Sequence, residues 1–145
     1  MRHRQAIALL ATVGFFVALY LWFYKIGVIG GLKCGTGSCE YVQTSRWAIL
    51  LGQPVALYGV AGYLVLFLIA LVGLQPRFLS NPGPTRLLAV LALAGFAFTL
   101  YLTYLELFVI HAVCRWCMGS ALIITLITAI AVPAALRIPA IRTGP

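Results

Sequence analysis

The sequence predicts an all-α membrane protein built as a bundle of four transmembrane helices. Of its 145 residues, 63% are hydrophobic and only 8% are charged, whereas a soluble domain carries roughly 25% charged residues. The chain also contains four apolar runs, each close to the 20 or so residues that a helix needs to cross a bilayer. The four cysteines all lie in or beside the breaks between these runs.

The first apolar run covers residues 6–24 and follows a short basic start, Met1 to Gln5. A secretory signal would have a shorter apolar stretch of about 7–15 residues and a small-residue cleavage site. No such site follows this run, so we predict that it remains in the protein as the first transmembrane helix.

The segment after the first helix, residues 25–53, contains the first two cysteines. Its glycines precede Cys39 and predict an irregular loop that carries Cys34 and Cys39. Apolar residues spaced among polar ones from Val42 to Leu51 then predict a short amphipathic helix at the membrane interface. Pro54, which suits a first helical turn, predicts the start of the next helix.

Three further spans are predicted at residues 55–74, 87–110 and 116–136. Three prolines and a glycine interrupt the chain at residues 75–86, and a tight turn at residues 111–115 leads into the Cys114-x-x-Cys117 motif. Since most connections are short, the helices should form one antiparallel bundle, a single domain over residues 1–145.

The charges predict the orientation of the bundle. The chain has ten basic and two acidic residues. The basic residues stand singly at the ends of apolar runs, which is untypical of a nucleic-acid-binding surface. Six basic residues fall on the side of the chain termini and four on the other side. The positive-inside rule therefore predicts cytoplasmic termini in the cell membrane, with both cysteine pairs on the periplasmic or extracytoplasmic side.

Three interpretations compete for the four cysteines. They could form two static disulfides, as is common in oxidising compartments, or they could hold a structural zinc ion. A thiol relay is the third, in which a loop pair exchanges with a soluble partner and a pair at a rigid helix start passes electrons into the membrane. The dipole at a helix start and the neighbouring Arg115 would both favour a thiolate there.

A relay of this kind needs a terminal electron acceptor. The chain has two histidines and lacks the spacings typical of haem, flavin or iron–sulfur sites. A lipid quinone needs no cofactor held by the protein and could reach Cys117 from between the helices. A non-catalytic bundle stapled by static disulfides is the alternative function, and it requires neither a quinone nor a metal.

Several spaced motifs resemble the vitamin K epoxide reductase family, most closely its bacterial branch. They are the Cys34-x4-Cys39 pair, the stretch from Thr44 to Trp47, the stretch from Gly52 to Gly59, and the stretch from Tyr104 to Cys117. The resemblance covers about residues 34–120. In the other four-helix quinone reductases, of the DsbB type, the C-x-x-C pair comes first in the chain, so the order is reversed.

The resemblance implies a role for each cysteine. The C-x-x-C motif is the active site in that family, so Cys117 would face the quinone and Cys114 would receive electrons from Cys39. Cys34 with Cys39 would meet a thioredoxin-fold, DsbA-like periplasmic protein and re-oxidise it, which supports disulfide bond formation. The co-substrate would be a diffusible quinone such as ubiquinone, menaquinone or phylloquinone.

The chain also departs from the family pattern. Many bacterial relatives carry a fused thioredoxin-like domain, and since none follows here before Pro145 we expect the partner to act in trans. Arg115 and Trp116 fill the C-x-x-C motif where a proline is common. Val55 and Ala121 occupy the two positions at which the vertebrate branch holds vitamin K.

Four further residues have two interpretations each. Ser45 is either a hydroxyl near the quinone or the cysteines, or a polar residue of the interfacial helix. Trp47 either contacts the quinone or anchors the interface. Glu106, an acidic residue inside a predicted span, is either a proton route for quinone reduction or a protonated carboxyl that bonds a loop backbone or Ser45. We interpret His111 as a turn residue rather than a proton donor.

Overall fold

The computed structural model describes residues 2–31 and 39–137. It confirms the predicted fold class, since four helices are long and apolar enough to cross a membrane. Along the chain the helices are α1 (Arg2–Lys25), α2 (Cys39–Thr44), α3 (Val55–Leu74), α4 (Gly83–Tyr104) and α5 (Arg115–Leu136). α4 continues directly into a π-helical segment, Leu105–Ile110. All the long helices except α3 begin earlier than predicted.

The proline-rich connection before α4 explains one of these differences. The helix begins at Gly83 rather than at residue 87, with Pro84 in its first turn. A proline in this position removes no hydrogen bond from the helix, because the first N–H groups of a helix have no partner within it. Pro84 therefore lies within the helix instead of delaying its start. A 3₁₀ turn, Pro76–Phe78, fills the preceding connection.

The predicted amphipathic helix is present only in part. α2 ends at Thr44, and Ser45 is extended, with φ of −69° and ψ of 157°. A 3₁₀ turn, Arg46–Ala48, follows, and then a small antiparallel hairpin of β1 (Ile49–Leu50) and β2 (Gln53–Pro54). Leu51 and Gly52 have positive φ values of 54° and 80°, the left-handed conformation that tight two-residue hairpin turns require.

The centre of the bundle is packed mainly with small residues. α1 lies against both α3 and α5, and α4 packs against α5. Four alanines from four different helices are completely buried: Ala11, Ala70, Ala92 and Ala131. Gly14 of α1 approaches the ring of Tyr63 so closely that a side chain there would overlap it. Small residues let the backbones come close, and helix packing in membranes depends on such contacts.

One end of the bundle is held by a buried arginine. Arg4 of α1 is only 4% exposed, and its guanidinium donates to the backbone carbonyls of Gly73, Phe78 and Asn81. It also donates to the Thr85 hydroxyl, over 3.2 and 3.1 Å. One side chain therefore ties the start of α1 to the end of α3, the connection and the start of α4.

Candidate active site

The C-x-x-C pair lies at the start of α5, at the end of the bundle opposite Arg4. After the π-helical segment the chain reverses at His111, whose φ of 56° and ψ of 34° are left-handed. Cys114 is the residue before the first turn of α5, and its sulfur accepts a hydrogen bond from the backbone N–H of Cys117 over 3.4 Å. Both cysteines are free thiols, so this pair is in its reduced state.

The surroundings of Cys114 favour its thiolate. The pKa of Cys114 is lowered, chiefly by a hydrogen bond from the Cys117 thiol and further by the backbone N–H groups of Trp116 and Cys117, although burial opposes the shift. Hydrogen bonds that favour the charged form lower a pKa in this way. Arg115 is exposed, and the hydrogen bond from the Cys117 thiol, with a smaller contribution from the N–H groups of the helix start, explains the effect.

Glu106 holds the turn that carries the cysteines. Its side chain is 5% exposed, and its Oε2 accepts from the backbone N–H of Cys114 over 3.3 Å. Its own backbone carbonyl accepts from His111 and from Ala112. The sequence indicated a bond to a loop backbone or to Ser45, and the partner in the structure is the backbone of the C-x-x-C turn. The carboxyl also contacts the Cys117 thiol.

The second cysteine pair is represented by Cys39, at the start of α2. Cys39 is disulfide-bonded, whereas Cys34 lies outside the described residues. Cys39 and Cys114 are both almost fully buried, and they belong to one apolar cluster together with Leu21 of α1 and Ala56 of α3. The fold therefore packs the cysteine of the first loop beside the inner thiol pair.

Gln43 is a site residue that the sequence interpretation missed. Its Nε2 donates to the Cys117 sulfur over 3.4 Å, and its backbone carbonyl accepts from Lys25 Nζ over 2.8 Å. The sequence feature that could have identified Gln43 is its position four residues after Cys39, because this spacing places both side chains on the same face of a helix. Recognising it would have required knowing that α2 begins at Cys39.

An apolar cavity of about 170 Å³ extends from the thiol pair into the bundle. Its walls come from α1, α3, the 3₁₀ turn after α2, α4 and α5, and they are mainly apolar. Cys117, Gln43, Glu106 and Trp47 all line the cavity, and hydroxyl side chains such as Thr99, Thr103 and Ser120 line it as well. The sulfur-bearing side chain of Cys117 is thus part of the wall of a mainly apolar cavity.

Among the remaining predicted residues, Trp47 lines this cavity, whereas Ser45 is not one of its lining residues. The Ser45 hydroxyl donates to the Val42 carbonyl over 2.7 Å, so it bonds to its own turn. Trp47 is half-buried, and the Arg46 guanidinium lies 4.8 Å from the centre of its ring. Trp116 packs on Tyr20 of α1, with the ring centres 4.9 Å apart. His111 is exposed in the turn, where the sequence placed it.

A helical membrane bundle with a free thiol pair, a disulfide-bonded cysteine packed beside it and an apolar cavity has the features of a membrane thiol oxidoreductase. The family model for the vitamin K epoxide reductase family matches residues 5–132. The chain therefore belongs to this family, as its motifs indicated, and it is a multi-pass membrane protein of the thiol oxidoreductase class.

Two substitutions of Glu106 should separate its two interpretations. Glu106→Gln keeps an oxygen that can accept from the Cys114 N–H but carries no transferable proton, whereas Glu106→Leu loses both properties. If Glu106 only positions the turn, we expect Glu106→Gln to retain most of the rate of thiol oxidation. Glu106→Leu should lower this rate about tenfold or more, because the leucine leaves the buried Cys114 N–H unpaired. Steady-state turnover of the two variants checks this. Equal losses in both would instead identify Glu106 as the proton route.

Proposed function

We propose that this protein is a thiol:quinone oxidoreductase, which re-oxidises a thioredoxin-fold, DsbA-like protein and transfers the electrons to a membrane quinone. The observation that carries the proposal is the meeting of the apolar cavity with the free thiol of Cys117. A lipid-soluble oxidant in that cavity would lie beside the sulfur. The overall result would be disulfide formation in secreted proteins.

The size and lining of the cavity support a ring-shaped apolar ligand. Apolar protein cavities of about 150 Å³ hold a molecule the size of benzene, and the cavity here is about 170 Å³. Gln43 and Glu106 line the cavity together with Cys117, and both contact the Cys117 thiol, so a quinone carbonyl near this sulfur would have polar groups beside it. Few polar groups placed in an apolar pocket are typical of sites that orient a small ligand.

Electrons would enter through the first loop. A thiolate of the reduced partner attacks the bond that we propose between Cys34 and Cys39, and the partner's second thiol then resolves the mixed disulfide. The partner leaves oxidised, and Cys34 and Cys39 are left as thiols. Each exchange breaks one S–S bond and forms another.

The inner pair would then take up the same two electrons. Cys39 attacks the sulfur of Cys114 in the oxidised inner pair, which breaks the Cys114–Cys117 bond and leaves Cys117 as a thiolate. Cys34 next attacks Cys39, which restores the loop disulfide and releases Cys114 as a thiol. The arrangement of a disulfide-bonded Cys39 beside free Cys114 and Cys117 matches the state at the end of these steps.

Reduction of the quinone would complete the cycle. The two thiols of the inner pair together lose two electrons and two protons, become a disulfide, and convert the quinone to a quinol. Glu106 contacts the Cys117 thiol and lines the cavity, so a proton could pass through its carboxyl. The lowered pKa of Cys114 stabilises the reduced state of the inner pair. The disulfide form of this pair therefore accepts electrons from Cys39 more readily.

We propose that the cysteine-bearing end faces the periplasm and that the chain termini lie in the cytoplasm. The distribution of basic residues supports this orientation. A DsbA-like partner acting in trans would approach the end of the bundle that carries α2. The free thiols of Cys114 and Cys117 argue against the alternative of a bundle stapled by two static disulfides.

The partner can be tested by trapping its mixed disulfide. A Cys39→Ala variant retains Cys34 as a free thiol, so we expect its thiolate to displace thionitrobenzoate from a DsbA-like protein whose single active-site cysteine carries that group as a mixed disulfide, and to form a covalent complex that dithiothreitol releases. Mass spectrometry should locate the bond at Cys34. The double variant lacking both Cys34 and Cys39 is the matched control, and an equal yield of complex from it would contradict the proposed entry point.

A further inference from the structure

We propose that Gln43 is a further catalytic residue, whose carboxamide N–H stabilises the thiolate that Cys117 carries when Cys39 attacks Cys114. The inference rests on the proposed function, which gives Cys117 this role as the leaving group. It is drawn from the contact between the Gln43 amide and the Cys117 sulfur, and it adds a residue to the site that is not a cysteine.

The geometry places a donor at the reacting atom. The 3.4 Å separation between Gln43 Nε2 and the Cys117 sulfur is within the range of a hydrogen bond to sulfur. Gln43 is 7% exposed, and the cavity beside it is mainly apolar. A hydrogen bond to a charged atom in such surroundings is stronger than one in water, because little solvent competes for the charge.

The reaction step explains why a donor is useful there. When the Cys39 thiolate attacks Cys114, a Cys39–Cys114 bond forms and the Cys114–Cys117 bond breaks. The electron pair of the broken bond stays on the Cys117 sulfur. Thiol–disulfide exchange is faster when the leaving thiolate is more stable, so a donor already aimed at this sulfur lowers the barrier for electron entry into the inner pair.

The other charged or titratable groups around Cys117 act differently. Glu106 of the π-helical segment contacts the sulfur, and in its charged form it would oppose a thiolate there. Cys114, one turn away, interacts with the same thiol. Lys25 of α1 bonds to the backbone of Gln43 rather than to the sulfur, and Arg115 of α5 is exposed. The neutral amide of Gln43 is therefore suited to offset the carboxyl.

The backbone of α2 is held independently of the Gln43 side chain. Lys25 Nζ donates to the Gln43 carbonyl, and Cys39 is anchored by its disulfide and by burial. A side-chain substitution at position 43 thus removes the donor while the helix keeps these attachments. This allows the contribution of the donor to be measured separately from the docking of α2.

The test measures the reactivity of Cys117 directly. In a Cys114→Ser background, the rate at which N-ethylmaleimide modifies Cys117 is followed by mass spectrometry from pH 6 to 11, roughly centred on the range in which thiols titrate. We expect Gln43→Leu to move the midpoint of the rate profile upward by about one pH unit, a tenfold loss of thiolate at a fixed lower pH. Gln43→Glu, which replaces the donor by an acceptor, should move it further.

A neighbouring residue provides the matched control. Thr44 is exposed, and its hydroxyl bonds to the carbonyls of Glu40 and Tyr41 in the same helix, so Thr44→Val should leave the profile unchanged. If Gln43→Leu fails to fold, Gln43→Met tests the same loss of donor with a flexible side chain. The proposal would be overturned if, in the Cys114→Ser background, the pH profile of Cys117 modification were the same with Gln43 as with the folded apolar substitution at position 43.

The same variants distinguish this inference from the proposed function. Modification of Cys117 requires neither a quinone nor a partner. A shifted profile in a protein that does not reduce quinones would support the role of Gln43 at the sulfur and refute the quinone reductase activity. Quinone turnover by the original protein, together with an unchanged modification profile and an unchanged rate in Gln43→Leu, would refute only the role of Gln43.

Discussion

Replacement of Cys117 by alanine is expected to lower quinone reduction by about a thousandfold or more, since it removes the sulfur that faces the cavity. Quinone absorbance, followed in detergent or in vesicles with a reduced DsbA-like protein as electron donor, measures the loss. The same variant should accumulate a Cys39–Cys114 disulfide, which forms when Cys114 attacks Cys39 of the proposed loop disulfide and frees Cys34, because no Cys117 thiol remains to displace Cys39 from Cys114. Mass spectrometry of unreduced peptides would detect this species.

The control for this variant is its neighbour Met118, since Met118→Leu conserves the volume of the side chain and leaves all four cysteines in place. We expect its turnover to stay within about threefold of the original rate. Turnover retained by Cys117→Ala at a comparable level would refute the relay through the inner pair. Loss of turnover in both variants would point instead to a general disturbance of α5.

Replacement of Arg4 by methionine should cause the largest loss of stability among the substitutions considered. It would leave the buried carbonyl of Gly73 and the partly buried carbonyls of Phe78 and Asn81 without their donor. Unpaired buried acceptors cost about 1–3 kcal/mol each, so we expect a loss of about 3 kcal/mol after partial relaxation. This corresponds to a fall in Tm of about 6–12 °C, measurable by tryptophan fluorescence in detergent.

Arg2 provides a matched control on the same helix. It is exposed, so Arg2→Met removes the same charge at nearly the same place without breaking the buried network. Its Tm should change by less than about 2 °C, as is usual for surface substitutions. Equal falls in Tm for the two variants would show that charge at the start of α1, rather than the contacts of Arg4, stabilises the bundle.

The helices and the reactive pair could be predicted because their signals are local. Apolar runs long enough to span a bilayer located the four long helices, and the bounds of α3 agree with the prediction at both ends. The position of Cys114 at a helix start, with its effect on the thiol, follows from a few adjacent residues. The hairpin from Ile49 to Pro54 was missed because its signal, Leu51-Gly52, lies within an apolar pattern that also suits a helix.

The sequence by itself determined the membrane class, the four spans and the family, and it predicted that the cysteines carry the chemistry. Only the tertiary structure decided which side chains surround the Cys117 sulfur. Gln43 lies 74 positions before Cys117 in the chain, and Arg4 lies 81 positions before Thr85. Such contacts depend on how the helices rotate and pack in three dimensions. Local hydrophobicity sets where a helix crosses the membrane but leaves open which buried polar groups meet inside the bundle.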